Sequence, residues 1–457
     1  MPINNKTNPK LPLPKPKGRV RWVVLSLLML LALINNIDRL ALSVAAPAMQ
    51  AELGITATEI GLLGSAFALF YALGQFPSGY LIDKFGPRLL LGWAVVAWSA
   101  ATAAMGLFNS LAGFALARAG LGLAEAPSMP ATNKIVAQWF PKREQSLANA
   151  GWDSALKAGP AFFTVLLVWI VTAFGWRLLF VIAGIAGLLF AILFFLSYRN
   201  PESAKSLTKE ELDYIQQDTD TSVAATGVKI PWGRVFTRTS MWGMMLGYFC
   251  NLFAYQIFLI FIPLFIINQF GIPFASLGWI VSIPWIGAII GDLASGWISG
   301  RISDRPGWTT KRAKKVMIVT SLALQAIMLA LIPINVLFSP AEGLPIAITF
   351  MAVALGFNGA VIAHAWSMTT EITAPATVAT VGSVQNFGGF MGATVSPLIA
   401  GLIVDATGSF NIVFFIAAFI ALLGAVLYHT MVRKPIISVE ELAAINTVHN
   451  ERQTADV

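Results

Sequence analysis

Long apolar runs, separated by short polar breaks, follow one another along almost the whole chain. Each run approaches or exceeds the roughly 20 residues that a helix needs to cross about 30 Å of hydrocarbon. Because lipid cannot hydrogen-bond to the backbone, such runs predict membrane-spanning helices. We predict twelve spans, numbered 1 to 12 in chain order: 22–46, 58–82, 89–108, 111–138, 146–172, 177–198, 240–268, 274–300, 314–337, 343–370, 377–404 and 409–433.

The segment 199–239 is the one long polar interruption in this pattern. Within it, the stretch 207–215, Leu-Thr-Lys-Glu-Glu-Leu-Asp-Tyr-Ile, predicts a short amphipathic surface helix. The interruption divides the chain into an N-terminal tail (1–21), a six-helix bundle (22–198), a linker (199–239), a second six-helix bundle (240–433) and a C-terminal tail (434–457).

An internal repeat supports this division. The sequence Gly79-Tyr-Leu-Ile-Asp83-Lys84 leaves span 2, and Gly300-Arg-Ile-Ser-Asp304-Arg305 leaves span 8. Duplicated six-helix halves with a site at their interface are typical of secondary transporters. A channel or receptor would show the same hydropathy, but neither explains the repeat.

Composition and charge exclude several other classes. Hydrophobic residues make up 57% of the 457 and charged residues only 11%, against roughly a quarter charged in a soluble domain. The chain has a net charge of +8, and its lysines and arginines lie in the two tails and in every second polar break, while the breaks between these hold almost none. This pattern places the basic residues on one side of the membrane, which indicates cytoplasmic termini in a plasma membrane rather than nucleic-acid binding. One cysteine and three dispersed histidines predict neither a disulfide nor a metal site nor a cofactor. Gly120-Leu-Gly122 lies inside a span without a preceding strand, so an enzyme with a dinucleotide fold is rejected.

Ionisable side chains inside the spans are the candidate functional residues, because burying an ionised group in the bilayer costs from a few to more than ~10 kcal/mol. In the first half of the chain, the ones that lie away from the ends of the spans are Asp38, Arg39, Arg118, Glu125, Asp153 and Lys157.

Arg118 and Glu125 lie on nearly the same face of span 4, about 10 Å apart along its axis. Glu125 falls near the middle of the membrane, where loss of hydration favours the neutral carboxyl unless a cation opposes it. It is therefore a candidate proton carrier. Pro127, just beyond it, interrupts the helix. Arg118 can line the same pathway and is a candidate substrate-binding residue. The alternative for Arg118 is a packing pair that neutralises Glu125 or Asp38.

Asp38 and Arg39 are neighbours and point about 100° apart around span 1, so they face different partners. The planar fork of an arginine can hold both oxygens of a carboxylate. Tyr71 and Gln75, four residues apart, can present a hydroxyl and an amide to the same cavity.

In the second half, the polar residues within spans are candidates for substrate contact or for hydrogen bonds that join helices. They are Tyr255, Gln256, Trp366, Ser367, Gln385 and Asn386.

The stretch from Gly79 to Arg88, Gly-Tyr-Leu-Ile-Asp-Lys-Phe-Gly-Pro-Arg, resembles the loop 2–3 signature of the major facilitator superfamily. Three further stretches resemble its anion:cation symporter family, notably bacterial sugar-acid carriers of the D-galactonate and glucarate/galactarate type. They are Asn36-Ile-Asp-Arg-Leu-Ala-Leu-Ser-Val-Ala, Ser65-Ala-Phe-Ala-Leu-Phe-Tyr-Ala-Leu-Gly-Gln-Phe-Pro-Ser-Gly, and Arg118-Ala-Gly-Leu-Gly-Leu-Ala-Glu-Ala-Pro.

The resemblance implies an all-α membrane fold of two pseudo-symmetric six-helix bundles. It makes Asp38 and Glu125 proton sites and Arg39 the ligand of the substrate carboxylate, and among the second-half candidates it favours Ser367 and Asn386. It assigns a cytoplasmic gate to Asp83, Arg88, Asp304 and Arg305. The function expected is proton symport of a small organic anion, most simply a sugar acid, by a monomer in the bacterial inner membrane. Dicarboxylates or aromatic acids, and sodium coupling or anion exchange, are the alternatives.

Lys157 departs from the family pattern, which has a glutamine close by. If Lys157 pairs with Asp153 one helical turn away, Asp153→Asn alone should harm folding and the neutral double variant Asp153→Asn/Lys157→Gln should recover. If Lys157 binds substrate, the double variant should fold but not transport. Uptake by the double variant near the wild-type rate would remove Lys157 from the binding site.

Overall fold

The computed structural model describes residues 19–204, 207–217, 232–338, 343–374, 377–442 and 444, and this part of the chain is almost entirely helical. Its helices are α1 (Val20–Leu53), α2 (Ala57–Met105), α3 (Leu111–Glu125), α4 (Ser128–Trp139), α5 (Lys142–Phe174), α6 (Trp176–Ser197), α7 (Lys209–Gln216), α8 (Trp232–Thr237), α9 (Thr239–Phe270), α10 (Leu277–Ser303), α11 (Thr310–Phe338), α12 (Leu344–Ile372), α13 (Val378–Thr407) and α14 (Asn411–Met431).

Ten helices in the described residues are long and apolar enough to cross a membrane. One of them, α2, contains two of the predicted spans. The two are separated at Gly86, whose φ of 77° interrupts the helix, and Pro87 begins the second segment. A further span is divided into α3 and α4, because Pro127 lies between them. Counting α2 twice and α3 with α4 once gives the twelve predicted crossings, so the all-helical membrane fold is confirmed.

The prediction for the end of span 1 was wrong. The sequence suggested an end near residue 46, before Pro47, but α1 continues through this proline to Leu53. A proline removes one helical hydrogen bond, which a helix packed among neighbours tolerates. The helix ends where Gly54 takes φ 68°, a conformation that favours glycine, and its N–H bonds to the carbonyl of Gln50.

Helices α1–α6 pack together as one bundle and α9–α14 as another. Within the described residues, the main contacts between the bundles are those of α2 with α13, α5 with α10, and α1 with α9. We call the side on which α1 begins and α14 ends the terminus face, and the other side the opposite face.

The bundles meet tightly at the opposite face. A Cβ atom on Gly61 would lie 2.1 Å from the carbonyl oxygen of Pro397, and one on Gly401 2.3 Å from that of Ala57. The Asp405 carboxylate on α13 accepts the N–H groups of Ala57 and Thr58 at 2.9 and 2.8 Å, which caps the N-terminus of α2 from the other bundle.

The bundles separate toward the terminus face. Gly79 on α2 and both Gly296 and Gly300 on α10 have no neighbouring atom within 4 Å of an added Cβ. Near the middle of the interface the contacts are between side chains, such as the rings of Phe76 and Phe387 at 5.2 Å. The structure is therefore closed at the opposite face and open toward the terminus face.

The amphipathic helix α7 is fixed to the first bundle by a buried arginine. Arg21 at the start of α1 pairs with Glu144 of α5 and Glu211 of α7, both at 3.0 Å. Tyr214 donates its hydroxyl to Glu144 at 2.7 Å. All of these side chains are buried, so the two carboxylates share the Arg21 guanidinium away from water.

The short helix α8 belongs to the second bundle. Arg238, just after it, pairs with Glu441 of the C-terminal segment at 2.7 Å. That segment is fastened to the end of α12 by backbone hydrogen bonds, among them the N–H of Ile436 to the carbonyl of Ile372 at 2.7 Å.

Gly61→Ala should weaken closure of the opposite face, because the new methyl group meets backbone and not a movable side chain. Overpacking of this kind costs ~1–3 kcal/mol, which corresponds to a rise of about fivefold or more in the open population. Ser43, buried between α1 and α9, can report it as Ser43→Cys in a Cys250→Ser background. Labelling by an impermeant maleimide from the opposite face should accelerate with Gly61→Ala. Gly120→Ala, where the nearest atom is 3.9 Å away, is the control. Equal labelling rates in the two variants would contradict the packing argument.

Candidate functional site

Four ionisable side chains, two from α1 and two from α3, meet inside the first bundle, and we call them the buried charge cluster. They are Asp38, Arg39, Arg118 and Glu125. The Nε of Arg39 donates to Oε1 of Glu125 at 2.6 Å, and its Nη2 pairs with the same oxygen. The side chain of Glu125 is fully buried, whereas that of Arg39 retains 15% exposure. Arg39 is thus the member of this pair that remains accessible.

Arg118 lies within electrostatic range of Glu125, as their shared helix face predicted, but its hydrogen bond goes elsewhere. Its Nε donates to the carbonyl of Leu63 at 3.3 Å, and its guanidinium lies 4.7 Å from the ring centroid of Phe67. The Nη1 atom is buried without a hydrogen-bond partner. Arg118 therefore supplies positive charge to the cluster from a site that water does not reach.

Asp38 points away from Arg39, as adjacent helical positions require. Its side chain is 1% exposed, and neither carboxylate oxygen has a hydrogen-bond partner. Thr102 lies beside it, and Glu125 and Arg118 act on it electrostatically. Two carboxylates and two guanidinium groups therefore share one dry region, in which the charge of each carboxylate depends on the others.

Aromatic rings extend from this cluster to the second bundle. The guanidinium of Arg39 lies 5.4 Å from the ring centroid of Phe67 and 5.1 Å from that of Tyr71. Tyr71 in turn stacks on Phe390 of α13 at 4.5 Å. One turn further along α2, Gln75 accepts a hydrogen bond from Nδ2 of Asn386 at 3.0 Å. The residues Tyr71, Gln75 and Asn386, all identified from the sequence, thus lie together where the bundles meet.

Two other candidates of the second bundle, Tyr255 and Trp366, lie in different places. Tyr255 lies within electrostatic range of Arg39 and packs edge-on against Trp285, with ring centroids 5.7 Å apart. Trp366 is 40% exposed and donates its Nε1 to the hydroxyl of Tyr248 at 3.2 Å.

The remaining three candidates are Gln256, Gln385 and Ser367. No hydrogen bond or ion pair between described residues links any of them to Arg39. Gln256 is buried, and both amide atoms of the fully buried Gln385 lack partners. Ser367 is half-buried, and its backbone carbonyl accepts a hydrogen bond from Lys314 at 3.2 Å.

The predicted gate residues make their described contacts within their own bundle. Asp83 pairs with Lys134 at 2.6 Å, and Arg88 donates to the carbonyl of Phe195 at 2.9 Å. Asp304 and Arg305 are exposed. The absence of described contacts from these residues to the other bundle agrees with the separation of the bundles at the terminus face. The side chain of Lys157 lies outside the described residues.

Sequence reasoning missed Asn35 beside Glu125, Thr102 beside Asp38, and Phe390 against Tyr71. Asn35 carried a signal, since it is an amide three residues before Asp38 in an apolar run. An isolated threonine or phenylalanine in a span carried none, because such residues are common in membrane helices.

Comparison with protein-family models matches residues 28–311 to the Major Facilitator Superfamily. The chain belongs to this superfamily.

The superfamily assignment agrees with known proteins of similar length. The D-galactonate transporter of Escherichia coli O6:H1 is 30% identical over 424 residues, which cover 91% of this chain and 96% of that protein. A protein of E. coli K12 named "Probable L-galactonate transporter" is 31% identical over 418 residues, covering 92% and 90%. Among solved structures, the inward-open xylose transporter XylE of E. coli has a TM-score of 0.70 at 14% identity, covering 93% of this chain and 99% of that one. The chain is therefore a membrane transporter of the major facilitator fold and not an enzyme.

Arg39→Gln should destabilise the protein because it leaves the fully buried Glu125 without its closest cation. Breaking one partner of a buried pair costs ~3–5 kcal/mol. The loss should be larger at high pH, since only the ionised carboxylate misses its partner, and it should largely disappear in Arg39→Gln/Glu125→Gln. Thermal unfolding of the purified variants at pH 6 and pH 8.5 measures both effects.

The control for this experiment is Lys134→Gln, which breaks the ion pair with the well-exposed Asp83 and should cost at most ~1 kcal/mol. A pH-independent loss in Arg39→Gln, or no recovery in the double variant, would contradict the buried-pair interpretation.

Proposed function

We propose that this chain is a secondary active transporter that imports a small organic anion of the sugar-acid class with protons, by alternating access. The observation that carries the proposal is the ion pair between the accessible Arg39 and the fully buried Glu125, with Asp38 beside it. A carboxylate that holds the substrate-facing cation is positioned to link protonation to anion binding.

Substrate recognition is assigned to Arg39 and the polar groups that the fold brings near it. The guanidinium fork suits a carboxylate. The amides of Gln75 and Asn386 and the hydroxyl of Tyr71 suit the hydroxyl groups of a sugar acid. The names of relatives that cover nine-tenths of the chain, which are galactonate transporters, support this substrate class over other organic anions.

Coupling follows from competition for Arg39. When Glu125 is ionised, one of its oxygens holds the guanidinium through the hydrogen bond from Nε and the ion pair with Nη2. A proton on Glu125 removes that attraction and leaves Arg39 for the incoming anion. After the anion departs, Glu125 loses its proton and recovers Arg39. Asp38 is the second proton site in this scheme, and because it interacts with Glu125 the two carboxyls titrate as a pair.

Alternating access is assigned to the two faces of the bundle interface. We take the terminus face as cytoplasmic, because the basic residues of the polar breaks are concentrated there. In that orientation the structure is open to the cytoplasm, and Asp83, Arg88, Asp304 and Arg305 lie where they would hold the cytoplasmic side shut in the other state. The unit proposed is a monomer in the bacterial inner membrane.

Glu125→Gln tests the coupling. Glutamine imitates the protonated carboxyl, so purified Glu125→Gln should still bind D-galactonate or galactarate and exchange it across proteoliposomes. It should lose accumulation driven by an inward proton gradient, because glutamine cannot release a proton and so cannot recover Arg39 after the anion departs. Counterflow and gradient-driven uptake of labelled substrate measure the two activities separately.

Glu210→Gln, an exposed position on α7, serves as the matched control and should accumulate substrate as wild type does. Gradient-driven accumulation by Glu125→Gln at the wild-type level would sink the mechanism. Accumulation by wild type with a sodium gradient and none with a proton gradient would replace proton coupling by sodium coupling.

A further inference from the structure

A groove of about 700 Å³ opens between the start of α1 and the end of α6, away from the buried charge cluster. Its size falls in the range of about 300–1,000 Å³ that is usual for sites of small molecules. On α1 it extends from Val20 to Leu27, which is about 10 Å along the helix axis. It therefore runs from the end of the bundle into the depth of the hydrocarbon.

The walls of the groove are apolar and open sideways. Val23 on α1 and Leu196 on α6 line it and are 58% and 71% exposed. Their exposure on the outside of membrane-spanning helices means that they face lipid. A soluble anion would have to reach the groove past this apolar surface, whereas an acyl chain would lie along it.

The rim of the groove is basic. Arg19 immediately precedes α1, and Arg199 follows α6. Among the described residues neither arginine has a carboxylate partner, and Arg199 uses only Nη1, on the backbone carbonyls of Phe195 and Tyr198. Glu202 lies near but is exposed and does not line the groove. Exposed hydroxyl-bearing Ser197 and Ser203 lie at the same rim.

A positively charged rim above an apolar wall is complementary to one kind of molecule. We propose that the groove between α1 and α6 binds an anionic phospholipid, with the phosphate on Arg19 and Arg199 and an acyl chain along Val23, Leu27 and Leu196. The segment 1–18 is a poor alternative occupant of the groove, because it has four lysines and no acidic residue and would be repelled by the basic rim. The proposal does not depend on which anion the protein transports.

Lipid-dependent thermal shift and native mass spectrometry of delipidated protein test it. Phosphatidylglycerol should raise the unfolding temperature and stay bound in preference to phosphatidylcholine. Arg19→Gln/Arg199→Gln should weaken phosphatidylglycerol binding by roughly fivefold for each arginine removed. Ser197→Glu, which places a negative charge at the rim, should weaken it as well.

The matched control removes the same charge elsewhere: Arg301→Gln/Arg312→Gln, two exposed arginines on the terminus face of the second bundle, should bind phosphatidylglycerol as wild type does. Equal loss in this control would show that general surface charge attracts the lipid and would overturn the proposal. Displacement of phosphatidylglycerol by glycerol 3-phosphate alone would mean a site for a soluble anion. Lipid preference that emerges only after deletion of residues 2–18 would mean that this segment occupies the groove. Either result would also overturn it.

Discussion

The ion pair between Arg39 and Glu125 is the interaction on which the proposed transport site depends. Glu125 is fully buried, and a buried carboxylate without a cation is costly enough to take up a proton instead. Its partner is held from the other side by the ring of Tyr71, which stacks on Phe390 of the second bundle. Arg39 therefore connects Glu125 to Tyr71, a side chain that touches both halves of the molecule.

The two faces of the bundle interface use different chemistry. At the opposite face, glycines allow backbones to touch, and Asp405 caps a helix of the other bundle. Such contacts fit in one geometry only. Nearer the terminus face, the amides of Gln75 and Asn386 and the aromatic rings make the contacts, and these can exchange partners at a smaller cost. The site lies at the transition between the two kinds of contact.

Much of this arrangement can be predicted from the sequence. In lipid, backbone hydrogen bonds must be made within the chain, and an ionisable side chain is rare unless it has a function or a partner. The spans, the duplication and the residues of the buried charge cluster follow from those two constraints. The sequence could not decide which arginine pairs with Glu125. Arg118 shares its helix, but Arg39 reaches it from α1, and that depends on how α1 and α3 pack. The end of α1 was unreadable for a related reason, since neighbouring helices support it past Pro47, a residue that tends to end a helix in water.

The attachment of α7 through Arg21 has a consequence for how the halves are connected. The polypeptide up to Gln217 is anchored to the first bundle, and from Trp232 onward it is anchored to the second. The fourteen intervening residues, 218–231, span at most about 50 Å when extended. A connection of that length keeps the halves at a high effective concentration. Among the described residues, the contacts that orient one half against the other are noncovalent, and those between α2 and α13 are the most extensive.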